Sequence, residues 1–119
     1  MTRQLTFDPA TAAARFTILY AAFAGGVNPQ QARGIEILRR EGHLMGALHG
    51  ISEDTDDRDQ AGRKVRRWKD GAMTVVLEQA EIELLRVRIE TVVWLPEKAA
   101  EVVETYDWLG TGVEVENVP

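Results

Sequence analysis

The 119-residue chain contains no cysteine, which excludes disulfide staples, thiolate metal sites and cysteine nucleophiles. Histidine is scarce too: only His43 and His49 are present. Six residues apart on a helix, they point about 240° from one another and cannot grip one metal ion, so both read as surface or boundary residues. No apolar run is long enough to span a membrane, and the opening MTRQLTFDPA lacks the apolar core of a signal peptide. No G-x-S-x-G, H-E-x-x-H or phosphate-loop pattern occurs. The expectation is a protein with no catalytic, cofactor-binding or metal-binding residues, no membrane association and a cytoplasmic setting.

What is present fits one domain over residues 1–119, and its net charge of −5 argues against indiscriminate binding to nucleic acid. Asp8-Pro9 combines an N-cap residue with a proline at the first helical position, and Phe7 can act as a staple. Ala12, Phe16, Leu19, Tyr20 and Phe23 then recur at helical spacing until Gly25-Gly26, which predicts a helix over about 9–24. Asn28-Pro29 repeats the device, with Gln31 completing a capping box, and predicts a second helix over about 29–50 with Ile35, Leu38, Met45 and Leu48 inward. Gly34, Gly42 and Gly46 each weaken that helix by about 1 kcal/mol relative to alanine. A break near Gly42 or a close helix contact is the first expectation; the other is that the small residues admit a partner chain.

Residues 52–62, SEDTDDRDQAG, show no apolar periodicity and read as a solvated acidic loop. A calcium loop fails on register, because a start at Asp54 puts Arg58 in the fifth position and Val65 where a bidentate glutamate belongs. Directly after it comes the basic cluster Arg63, Lys64, Arg66, Arg67 and Lys69, and the two charge runs are expected to compensate each other. Asp70-Gly71 is a two-residue turn signal, which predicts a β-hairpin over about 63–77 with Trp68 facing Met73. Such a basic ribbon, with Arg63, Arg67 and Lys69 outward, is the one feature that suits a nucleic-acid phosphate backbone. Nucleic acid is a possible partner but not the favoured one.

Residues 78–94 alternate like a strand at their end, yet Glu78 to Arg86 are strong helix formers, so a helix over about 79–93 is predicted, unwinding near Val92. It carries two apolar stripes: Ile82, Leu85, Ile89, Val92 and Val93 on one side, Ala80, Leu84, Val87 and Thr91 on the other. Glu81 and Arg88 belong to a charged flank between them, and Glu81 and Glu83 are expected to be solvated. A helix greasy on two sides needs apolar neighbours on both, within the monomer or from another subunit. Leu95-Pro96 then opens a last helix over about 96–109, lined by Ala99, Val102, Val103, Tyr106 and Leu109 and stopped at Gly110. The tail 110–119 alternates Val113, Glu114, Val115 and Glu116, which suits a short edge strand or an arm that pairs with a neighbour.

The segment Thr74-Val-Val-Leu-Glu-Gln-Ala-Glu81-x-x-Leu84-Leu85, with Trp94-x-Pro96 and Tyr106-Asp107-Trp108-Leu109, resembles the C-terminal half of small proteins encoded in tailed-bacteriophage and prophage gene clusters. The resemblance spans roughly Arg63 to Leu109 and transfers no site residue. It implies a virion or assembly role, set in the bacterial host cytoplasm or the virion.

The sequence therefore predicts a mostly helical α+β fold of four helices and a hairpin, acting as a nonenzymatic structural or interaction protein that binds itself or other subunits. The expected contact residues are Arg63, Arg66, Arg67, Trp68, Lys69, Leu84, Val87, Val113 and Val115. The alternatives are a DNA-binding regulator using residues 63–69 and an acidic inhibitor of a host protein.

Overall fold

The computed structural model describes residues 1–25 and 32–115. In chain order these form β1 (Thr2–Thr6), α1 (Ala12–Gly25), α2 (Ile35–Gly50), β2 (Ser52–Arg58), β3 (Lys64–Trp68), β4 (Thr74–Glu78), α3 (Gln79–Thr91), a 3₁₀ turn (Pro96–Lys98), α4 (Ala99–Leu109) and β5 (Val113–Val115). The class is α+β with four helices, as the sequence predicts. The strands form a three-stranded antiparallel sheet of order β4-β1-β5 and a separate β2-β3 ribbon. One hydrophobic core joins Leu5, Phe7, Phe16, Leu19, Leu44, Leu48, Leu77, Ile82, Leu85 and Leu109.

The predicted 63–77 hairpin does not form. Asp70-Gly71 does make the tight turn, with the Ala72 N–H donating to the Lys69 carbonyl at 3.0 Å and Gly71 at φ +95°. The two strands beside it then part: β3 pairs with β2, and β4 pairs with β1 from Thr2↔Glu78 to Thr6↔Thr74. Turn chemistry is local, whereas strand pairing goes to whichever partner buries more apolar surface. The central strand β1 delivers Leu5 opposite Val75, both buried.

Residues 52–62 are not an acidic loop either. Ser52–Arg58 is a strand despite its carboxylates, because β3 sets a cation opposite them: Glu53 faces Arg67 and Asp54 faces Arg66. Asp59 closes the turn, accepting the Ala61 and Arg63 backbone N–H groups, and Gly62 adopts φ +80°.

The helices follow their sequence signals with shifted ends. Asp8 caps a turn through Ala10, and α1 proper starts at Ala12. Phe7 is buried and packs on Trp108 with ring centroids 5.0 Å apart. The Asn28-Pro29 cap and Gln31 lie outside the described residues, and residues 32–34 are not helical. Within α2, Leu44 and Leu48 are buried and Met45 half-buried, but Ile35 and Leu38 are exposed because the face turned to α3 carries Ile37 and Glu41 in line with Leu44 and Leu48. The helix runs unbroken through Gly42 and Gly46, and a Cβ at either would meet nothing within 4 Å, so neither a break nor a close contact explains them.

Helix α3 exists and unwinds at Val92 as predicted, with φ −77° and ψ 140°. It ends two residues short of Val93, which removes Val93 from the inward stripe. Ile82, Leu85 and Ile89 face the core; Ala80 and Leu84 are half-buried, while Val87 and Thr91 are exposed. Glu81 and Arg88, expected on a solvated flank, are both buried, because α2 lies against that flank. Arg88 donates to the Phe23 carbonyl at 2.9 Å and pairs with Glu41, whose carboxylate also meets Arg33 at 3.1 Å. The final helix begins as a 3₁₀ turn at Pro96, and β5 pairs with β1 of its own chain from Thr2↔Val115 to Gln4↔Val113. Residues 116–119 of the tail lie outside the described residues.

Candidate interaction surface

The β2-β3 ribbon neutralises its own basic cluster. Arg63 meets Asp59 at 3.1 Å, Arg66 meets Asp54 at 2.7 Å, and Arg67 meets Glu53 at 3.0 Å. Arg66 is further tied to the Ser52 hydroxyl at 2.9 Å and to the Ser52 carbonyl at 3.1 Å. The Arg63 and Ala61 backbone N–H groups and the Arg63 guanidinium hold the Asp59 carboxyl below its ordinary value, against a smaller opposing push from burial. Lys64 and Lys69 make no ion pair among the described residues. Exposed pairs of this kind are worth about 0–1 kcal/mol each, but their effect on the field is larger: each arginine already has its anion.

The other predicted contact residues are scattered. Trp68 turns toward the core, half-buried, and its indole N–H has no partner. Leu84 and Val87 line a cleft of about 420 Å³ whose other wall is Arg33, Gly34 and Ile37, so that stripe is partly covered from within the chain. Val113 is exposed on the outer face of the sheet, in the same row as Gln4 and Val76, and Val115 is half-buried. No single patch collects these residues.

A different surface stands out. Between the end of α3 and the start of α4 the chain is extended from Val92 to Leu95, so side chains alternate in direction. Trp94 turns inward, packs on the core and donates its indole N–H to the Ile89 carbonyl at 2.8 Å. Its neighbours must then point out: Val93 is 96% exposed and Leu95 63%. On α4, Val103 is 58% exposed and, with Ile89, Val102 and Tyr106, lines a shallow, almost wholly apolar cleft of about 310 Å³. Tyr106 is pinned at that rim, its hydroxyl donating to Glu90 at 2.6 Å and its ring lying 4.7 Å under the Arg86 guanidinium. No protein-family model, curated protein or solved structure matches this chain. Its surface chemistry alone must therefore speak for its role.

The sequence held one signal for this ridge. VVWLP contains two valines, a tryptophan and a leucine in a stretch too extended to hide all of them on one side. Which one turns inward is decided by packing. Among the described residues, no helix is long and apolar enough to cross a membrane, and no group of three or more histidine or acidic side chains is placed to hold a metal.

Proposed function

We propose that this chain is a nonenzymatic interaction protein that self-associates within a larger assembly, using the Val93, Leu95 and Val103 ridge and the adjoining α3-α4 cleft. The observation that carries the reading is Val93, a large apolar side chain 96% exposed and four residues along the chain from Ile89, which lines an apolar cleft. A single surface valine is ordinary, but Val93, Leu95 and Val103 leave three apolar side chains more than half exposed in one short stretch of chain, and such exposure marks a contact surface. A second copy is the favoured occupant because the projection and the cleft are both carried by the α3-α4 corner of one molecule. A two-fold axis between them would seat each copy's Val93 in the other's cleft, the self-complementarity that an isologous dimer needs. A virion or assembly role in a bacterial host, implied by the phage resemblance, fits this reading.

The DNA-binding alternative is weaker, since the three arginines of the basic strand are already paired with carboxylates. A phosphate backbone would have to displace these carboxylates with little counterion release to gain. Light scattering on a size-exclusion column across a concentration series tests the proposal. A mass that rises from monomer to dimer supports it, and a monomer at every concentration overturns it.

A further inference from the structure

Away from that ridge, a polar cleft of about 280 Å³ separates α2 from the β4-α3 junction, lined by Glu36, Arg39, Arg40, His43, Glu78 and Glu81. Arg39, Arg40 and His43 share one face of α2 because they lie three and four residues apart. Opposite them, Glu81 is 1% exposed and both of its oxygens are engaged: Oε1 accepts the Glu78 backbone N–H at 2.8 Å, and Oε2 meets His43 Nδ1 at 2.6 Å. The Glu78 side chain accepts the Glu81 backbone N–H in return, closing a capping box at the start of α3. Holding α2 to α3 explains Glu81. It does not explain the rest of the cleft. Arg39 and Arg40 make no hydrogen bond or ion pair among the described residues, and Glu36, the one carboxylate there without a partner, bonds to neither. His43 is 60% exposed, and with Nδ1 fixed on Glu81 its free ring nitrogen is Nε2.

We propose that this cleft binds a phosphate-class anion that carries a proton: inorganic phosphate, or a small phosphate monoester in its monoanionic form. The two guanidinium groups supply the charge and the forked donors that suit phosphate oxygens. The buried carboxylate selects the His43 tautomer with the proton on Nδ1, so Nε2 is an acceptor and takes a hydrogen bond from the P–OH of the ligand. Sulfate offers the same shape and charge without that proton, and so it lacks one of the contacts. The site is independent of the Val93 ridge, and its failure would leave the self-association reading intact.

Histidine-ring NMR of the full chain, titrated separately with inorganic phosphate, glycerol phosphate and sulfate at fixed ionic strength and at about pH 6.5, where part of the monoester still holds its proton, tests the proposal. His43 is expected to shift saturably with phosphate, half-saturating on the order of 1 mM, while His49 on the same helix stays put. Sulfate should bind roughly tenfold more weakly, the loss of one hydrogen bond. Arg39→Ala with Arg40→Ala should abolish the His43 response, and Glu36→Gln, which removes the competing carboxylate, should strengthen it. Binding of both phosphate and glycerol phosphate makes the ligand a phosphate monoester; binding of phosphate alone makes it the free ion. Equal drift of His43 and His49, a response that never saturates, sulfate binding as well as phosphate, or binding that survives loss of both arginines would each overturn the proposal.

Discussion

Glu81 and Arg88 stand about two turns apart on the same flank of α3, and both are buried against α2, where His43 receives one and Glu41 the other. Two charged contacts thus fix the register of α2 on α3 at a seam where apolar packing alone would leave it free to slide. Each charged side chain finds a hydrogen-bond partner within the seam. Arg88 also lies over the Phe23 ring at 4.8 Å and binds the Phe23 carbonyl, which ties the end of α1 into the same contact.

Removing Arg88 should therefore be costly. Arg88→Ala leaves the Glu41 carboxylate with Arg33 alone and the Phe23 carbonyl unpaired, a loss of about 1–3 kcal/mol by the usual cost of an unsatisfied buried group. Glu83→Ala, on an exposed position of the same helix, should stay within about 0.5 kcal/mol. Urea unfolding of both variants checks this. Equal, small effects would mean that the α2-α3 seam does not depend on the ion pair.

The glycines of α2 should respond in the opposite direction. Gly42→Ala and Gly46→Ala place a methyl group where nothing lies within 4 Å, and each should stabilise the isolated chain by about 0.5–1 kcal/mol. Thermal unfolding would register the gain. Destabilisation by either substitution would show that this face meets something in solution that a Cβ obstructs.

Much of the helical half of the fold is legible in the residues themselves. Ala12, Phe16, Leu19 and Phe23 are buried as their spacing predicts, and Leu95-Pro96 breaks the chain as proline must. The sheets are not legible, because strand pairing is settled at long range. Thr2–Thr6 has little strand grammar of its own, yet it is the centre of a sheet, since β4 and β5 both need a partner. Ser52–Arg58 has Thr55 as its one strand-favouring residue and still forms a strand, because β3 sets Arg66 and Arg67 opposite Asp54 and Glu53. The exposed ridge at Val93 is not legible either, for a related reason. Helical phase continued past Thr91 sends Val93 inward, whereas the extended chain there sends it out and turns Trp94 in. Likewise His43 and Glu81 are separated by 38 residues, and only the packing of α2 on α3 brings them together.

Tyr106 gives a test of the cleft itself. Its hydroxyl donates to the Glu90 carboxylate, which holds the phenol proton and raises its ionisation above the ordinary value of 10.0. A raised folded value means that the contribution to stability is complete below about pH 10 and fades as pH climbs from there through the folded value. Ultraviolet titration in a Tyr20→Phe background isolates Tyr106. Its ionisation should lie above that of free tyrosine and fall toward it in Glu90→Gln. Ionisation at or below the free value would contradict the bond.

The most direct measurement is sedimentation equilibrium of the wild-type chain, Val93→Asp and Val113→Asp under identical conditions. Burying one valine side chain is worth about 1.5–3 kcal/mol, and a two-fold contact buries two, so a carboxylate at position 93 should weaken dimerisation by about a hundredfold or more. Val113→Asp, at a valine that is 67% exposed on the sheet rather than on the ridge, should leave it unchanged. A wild-type dimer lost only in Val93→Asp is the result expected. A wild-type monomer, or a dimer indifferent to position 93, would contradict it.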